Sequence, residues 1–134
     1  MQRTFGRNID ALENIFAFNS EFAKRNGIGK ATLGFIDFVT EELFTNMVKY
    51  NPGNTNEILI QLRRDGDKVV VTLTDFDVEP FDVTQKRDVN VRQALAQRKV
   101  GGLGLHLVQQ MADEIKYEYK DRTSKITLTK RLEK

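Results

Sequence analysis

The chain has 134 residues, 40% hydrophobic and 30% charged, which is typical of one soluble globular domain, residues 1–134, with a core of its own. A net charge of +2 is too small to indicate nucleic-acid binding, and zero cysteines with one histidine exclude disulfides and argue against zinc, so any metal is a hard cation with oxygen ligands. No apolar run approaches the length of a membrane span and the N-terminus lacks a signal-peptide core, so we expect a cytoplasmic protein.

The first part of the chain predicts a short strand and two helices. Residues 2–5 can form the strand, and Asn8 or Asp10 can cap a helix that runs to about Arg25. A longer helix is expected over about residues 30–50. The Asn-Pro-Gly sequence after it ends this helix, because proline cannot continue the helical hydrogen bonding.

The longer helix carries Glu42, Asn46 and Lys49 on one side. At about 100° per residue these positions fall within a narrow sector beside the apolar stripe, whereas Glu41 points towards water. Glu42 and Asn46 are therefore expected to be partly desolvated. Two interpretations remain: a functional cluster of a carboxylate, a carboxamide and an amine, or ordinary surface charges on an amphipathic helix.

A β-hairpin follows, with strands over residues 57–64 and 68–75 on either side of an Asp-Gly-Asp turn. Period-two counting places Asp75 on the inner face of the second strand, at the edge of the core. Because an unpaired buried charge is costly, Asp75 needs a partner. We expect either a nearby lysine or backbone amide, or the donor group of a ligand.

The connection over residues 77–100 is long for a compact domain and has room for one short helix at about residues 89–96. It is expected to be either a lid over a site or a surface excursion. Its basic residues either attract phosphates or an acidic partner, or are ordinary solvated charges: Lys86, Arg87, Arg92, Arg98 and Lys99.

Residues 100–108, VGGLGLHLV, combine three glycines with the start of a helix that runs to about Ala112. Each glycine costs about 1 kcal/mol inside a helix, so we expect a loop entering a helix, where N–H groups and the helix dipole can receive phosphate oxygens. A flexible joint is the alternative. We interpret His106 as a variable surface or half-buried position.

The chain closes with strands at about residues 115–119 and 126–132, joined by a turn over residues 121–124. The order of helices, hairpin, long connection, helix and hairpin predicts an α+β fold. We expect a two-layer sandwich with a mixed, mostly antiparallel sheet and helices on one face.

These motifs, in this order, resemble the GHKL (histidine kinase-like) ATP-binding superfamily with its Bergerat fold. The sequence is most similar to the bacterial anti-sigma factors that are also serine/threonine protein kinases. EELFTNMVKY (residues 41–50) resembles the N box, and TDFDVEPFD (residues 74–82) the first glycine box. The second glycine box and closing hairpin correspond to GGLGLHLVQQMADEIKYEY (residues 101–119) and KITLTKRL (residues 125–132). The resemblance covers essentially the whole chain.

The resemblance implies a site for ATP and Mg²⁺. Glu42 would be the general base, Asn46 the magnesium ligand and Asp75 the acceptor for the adenine amino group. The nucleotide-binding positions that it implies are Asn46, Lys49, Asp75, Asp77, Phe81, Gly101, Gly102, Leu103, Gly104 and Leu105.

The first glycine box departs from the family pattern D-x-G, because Asp77 stands at the glycine position. Aspartate adds a Cβ and a negative charge close to a polyanionic ligand. The ending Pro-Phe-Asp at residues 80–82 does match the anti-sigma group. Tyr50 stands where many anti-sigma kinases carry histidine.

The implied function is that of an ATP-binding anti-sigma regulator, a homodimer that sequesters a sigma factor and phosphorylates a serine or threonine of an antagonist protein. The alternative is a partner-binding switch module of the same fold, in which Asp77 has weakened nucleotide use. A detached catalytic domain of a histidine kinase is disfavoured, because the C-terminal block matches the anti-sigma group better.

Overall fold

A computed structural model describes residues 1–51, 53–80 and 102–132, and these residues form five strands and three α-helices. In chain order the elements are β1 (Gln2–Phe5), α1 (Leu12–Asn26), α2 (Lys30–Tyr50), β2 (Ile58–Asp65), β3 (Lys68–Phe76), α3 (Gly102–Met111), β4 (Glu114–Lys120) and β5 (Thr123–Arg131). A 3-10 turn, Ile9–Ala11, precedes α1. The predicted short helix at residues 89–96 and the basic residues of the same connection lie outside the described residues.

The strands form one sheet in the order β1-β2-β3-β5-β4, and all four pairings are antiparallel. The α+β fold predicted from the sequence is confirmed. β3 lies at the centre of the sheet, and its register places Asp75 opposite Ser124 of β5. The end of β3 and the start of β5 therefore meet at the same edge of the core.

The core lies between one face of the sheet and the helices. The alternation predicted for the hairpin is found in β2, where the inward positions are fully buried and the residues between them more exposed, whereas residues 69–75 of the central strand β3 are all buried. The helices contribute the large apolar side chains that cover this face. The central buried residues are Ile15, Phe22, Ile36, Val39, Leu43, Phe44, Ile58, Ile60, Leu62, Val69, Val71 and Leu73.

The turn between β4 and β5 is shorter than the sequence predicted. Asp121 and Arg122 both have positive φ, 53° and 59°, as the two central residues of a tight hairpin turn do. Thr123 and Ser124, which were assigned to the turn, are the first residues of β5 instead. The strand begins early enough to bring Ser124 beside Asp75.

The glycine-rich segment also differs from its prediction as a loop. α3 begins at Gly102, so Gly104 lies in its first turn. The helix is held there because Leu105 and Val108 are buried in the core. No helix in the described ranges is long and apolar enough to cross a membrane.

Candidate functional site

A cavity of about 40 Å³ lies between the C-terminal half of α2 and the adjoining ends of β3 and β5. That volume holds one or two water molecules. Two of the lining residues, Tyr50 and Glu79, are exposed to solvent, so the cavity opens outwards. The described residues that line it are Leu43, Asn46, Met47, Tyr50, Asn51, Asp75, Val78, Glu79, Ser124 and Ile126.

The lining is mostly apolar with a few polar groups, as in small-molecule pockets, although the volume is well below the roughly 300–1,000 Å³ of such pockets. Val78 and Ile126 are buried and form part of its apolar wall. Asp75 and Ser124 are buried and polar, with exposures of 2% and 5%. Because they are direct neighbours across the sheet, they place a carboxylate and a hydroxyl side by side in the apolar wall.

The partner of Asp75 is Arg7, whose guanidinium Nη2 donates to Asp75 Oδ1. Arg7 lies in the segment between β1 and α1, and no sequence pattern pointed to it. Burial raises the pKa of Asp75, and the hydrogen bond and charge of Arg7 oppose this effect. Of the two expected partners, the structure supplies a protein side chain, although it is an arginine and not a lysine.

Glu42 lies one helical turn before Asn46 on α2 and is half-buried. Its carboxylate packs directly against Gly104 of α3: a Cβ added to Gly104 would lie 1.9 Å from Glu42 Oε2. Burial raises the pKa of Glu42, and the neighbouring charge of Glu41 raises it further. Two segments that are distant in sequence, the N box and the second glycine box, are therefore in contact through this carboxylate.

Asn46 is buried and faces the cavity. Its Nδ2 donates to the backbone oxygen of Glu42 at 2.8 Å, which fixes the amide orientation. An amide oxygen held in this way is suited to Mg²⁺, which takes one or two protein ligands and completes its shell with water and substrate phosphates. The described residues contain no cluster of three acidic or histidine side chains that could hold a metal alone.

The remaining predicted residues are not among the described residues that line the cavity. Lys49 is exposed, with Nζ 5.9 Å from the centroid of the Tyr50 ring, and is not among the described residues that line the cavity. The Leu105 side chain is in the core, so only its backbone is available to a nucleotide. Gly102 and Leu103 lie in the first turn of α3. Phe81 and Gly101 are outside the described residues.

Asp77 takes a left-handed backbone conformation, which glycine adopts most readily. Its φ is 58°, in the left-handed region, where aspartate is one of the better tolerated residues. Asn54 Nδ2 donates to the backbone oxygens of Phe76 and Asp77, which supports this turn. The carboxylate is directed to Arg122 Nε at 2.8 Å and is 69% exposed. Its charge is therefore paired outside the cavity.

A comparison with protein families shows to which family the chain belongs. The family model described as "Histidine kinase-like ATPase domain" matches residues 6–130. The chain belongs to the histidine kinase-like ATPase domain family. Membership implies that this ATPase domain binds ATP. A comparison with curated proteins finds no match.

Two solved structures share the fold of this ATPase domain. The RsbU and RsbW domains of Rv1364c from Mycobacterium tuberculosis superpose with a TM-score of 0.70 at 17% identity, over 98% of this chain and 32% of that chain. The SiaB-SiaC complex from Pseudomonas aeruginosa matches with a TM-score of 0.67 at 15% identity, over 96% of this chain and 86% of that chain. This ATPase domain thus spans about a third of the Rv1364c chain and most of the Pseudomonas chain.

Proposed function

We propose that the protein is an ATP-dependent regulator of the anti-sigma type, which phosphorylates a serine or threonine of an antagonist protein and sequesters a sigma factor. The proposal rests on the contact of Glu42 with Gly104, next to the cavity that Asn46 and Asp75 line. Asn46 and Asp75 thus line the same cavity, and Glu42 lies one helical turn from Asn46 on α2.

In this proposal Asp75 receives the adenine amino group, and Ser124 lies next to it in the cavity wall. Asn46 holds Mg²⁺, which when bound neutralises phosphate charge. Glu42 takes the proton of the acceptor hydroxyl as that oxygen bonds to the γ-phosphorus and the bond to ADP breaks. Phosphoryl transfer depends mainly on such positioning and charge stabilisation.

The raised pKa of Glu42 supports its role as the base. General bases work best when their pKa approaches the working pH, and burial beside Gly104 together with the charge of Glu41 moves Glu42 in that direction. Lys49 is proposed to contact phosphate, and so are the backbone groups of residues 101–105. Lys49 is exposed, and its Nζ lies 5.9 Å from the centroid of the Tyr50 ring.

The protein partners rest on the two structural neighbours. One is a complex of SiaB with a second protein, SiaC, and the other contains an RsbW domain together with an RsbU domain. We infer from them that this chain also acts on a protein. The sigma factor, the antagonist, the homodimer and a cytoplasmic location are parts of the proposal.

Calorimetric titration with ATP and ADP, with and without Mg²⁺, tests the proposal first. We expect magnesium-dependent binding in the micromolar range, on the order of −8 kcal/mol. Transfer of labelled phosphate from ATP to a serine-containing antagonist then tests the kinase step. Absence of nucleotide binding would refute the proposal and favour the partner-binding module. The outward turn of the Asp77 carboxylate supports nucleotide binding over that module.

A further inference from the structure

The buried side chain of Arg7 contacts Asp75 at the candidate site. Its side chain is 5% exposed, yet it is not among the described residues that line the cavity, whereas Asp75 is. Arg7 therefore contacts the carboxylate from the protein side and leaves the cavity open to a ligand. An arginine at this depth requires several acceptors, since burial of its charge is otherwise unfavourable.

Those acceptors come from three separate parts of the chain. Nη1 of Arg7 donates to the backbone oxygen of Met47 in α2 at 2.8 Å, and Nε donates to the backbone oxygen of Asn56 before β2 at 3.2 Å. Nη2 donates to Asp75 Oδ1 at the end of β3. Because guanidinium is planar and rigid, two backbone anchors fix the direction from which the third N–H meets the carboxylate.

The polarity of Asp75 determines which purine it can accept. An ionised carboxylate only accepts hydrogen bonds, so it pairs with an exocyclic amino group and repels a keto oxygen. Burial favours the neutral form of Asp75, which could donate to a keto oxygen, and Arg7 opposes this. The other titratable groups among the described lining residues are Tyr50 of α2 and Glu79 after β3.

We propose that Arg7 is a positioning residue for nucleobase selection: by holding Asp75 as an oriented acceptor, it sets the preference for a 6-amino purine over a 6-oxo purine. The inference rests on the proposed ATP site. Arg7 lies outside the N box and the glycine boxes, and in this inference it influences substrate choice. It does so through Asp75, without contact with the nucleotide.

The test compares binding of ATP and inosine triphosphate by calorimetry, in the presence of Mg²⁺. The two nucleotides differ only in the base, at the 6-position and in the hydrogen on N1, so a merely destabilising change lowers both affinities and leaves their ratio intact. We expect the unchanged protein to prefer ATP. Arg7→Met is expected to reduce the ratio of the two affinities at least tenfold, mainly through weaker ATP binding.

Arg64→Met is the matched control. Arg64 also donates to two backbone oxygens, those of Asn26 and Gly66, but at the opposite end of the hairpin. We expect its ratio to equal that of the unchanged protein. Arg7→Lys retains the charge but lacks the rigid fork, so we expect its ratio of ATP to inosine triphosphate affinity to fall at least threefold. If Arg7→Met does not fold, the result for Arg7→Lys decides the test.

The outcomes separate the two proposals. If the unchanged protein does not bind ATP, the proposed function is overturned and this inference with it. If it binds ATP in preference to inosine triphosphate and the Arg7 variants keep the same ratio, the inference alone is overturned. A ratio that falls equally in Arg64→Met would also overturn it, because the effect would then be general.

Discussion

The substitution Gly104→Ala separates the position of the Glu42 carboxylate from the stability of the fold. The added Cβ would lie 1.9 Å from Oε2 and 2.5 Å from Cδ of Glu42, whereas a normal C···O contact is about 3.3 Å or more. The carboxylate must therefore move by more than about 1 Å. A displacement of that size in a catalytic group can lower the rate about 100-fold.

Stability is expected to change little in the same variant. Alanine in place of a helical glycine gains about 0.5–1 kcal/mol, and a shifted rotamer of Glu42 costs about 0.5–1.5 kcal/mol. The free energy of unfolding should thus remain within about 1 kcal/mol of its original value. Thermal unfolding measures this quantity, and transfer of labelled phosphate from ATP to the antagonist measures the chemical step.

Gly34→Ala is the control, because Gly34 lies in α2 with open space where its Cβ would be. We expect it to raise stability and leave the rate of phosphate transfer unchanged. In a background that already carries Glu42→Ala, Gly104→Ala should have no further effect on the rate, since the two residues act through one contact. A full rate in the single Gly104→Ala variant would refute the role of that contact.

Substitutions at three positions test the site further. Glu42→Gln should keep ATP binding, abolish transfer and raise thermal stability at pH 8 but not at pH 4. The pKa of Glu42 is raised in the folded state. The stability linked to its proton is therefore present below the unfolded value of 4.5 and is lost as the pH rises through the folded-state pKa. Equal gains at both pH values would contradict this. Asn46→Ala should remove the magnesium dependence of ATP affinity in calorimetry while leaving binding in a chelator unchanged; a retained dependence would exclude it as the ligand. Asp77→Val should cost about 1–2 kcal/mol in denaturant unfolding and Asp77→Gly less, because φ is 58° there, with ATP affinity preserved in both; loss of affinity would show that residue 77 contacts the nucleotide.

Elements with strong periodicity could be predicted from the sequence. The alternation in β2 and β3 and the apolar stripe of α2 gave the helices, the hairpin and the α+β class, because one buried face imposes its period on the residues. Counting along β3 also placed Asp75 correctly at the inner edge. These features depend on local patterns that a linear reading contains.

Contacts between distant segments could not be predicted in this way. Arg7 and Asp75 are 68 positions apart, and no periodicity relates them. The sequence suggested a loop at Gly104 because glycine disfavours helices, whereas the reason for glycine there is the Glu42 carboxylate on a different helix. Ser124 is predicted in a turn and lies in β5 instead. The tight turn at Asp121 and Arg122 could not be recognised, because both residues have positive φ although neither is glycine or asparagine.

The sheet order has a consequence for the length of the connection between β3 and α3. β2 with β3 and β4 with β5 are hairpins that form from neighbouring residues, whereas the β1–β2 and β3–β5 pairings each close a large loop, and the second of these contains the connection to α3. The entropy of loop closure grows only with the logarithm of length, and doubling a loop costs about 0.6 kcal/mol. Insertions between β3 and α3 should therefore be accommodated at little thermodynamic cost, which makes this connection the natural place for the protein to diversify, or to be engineered, without loss of the fold.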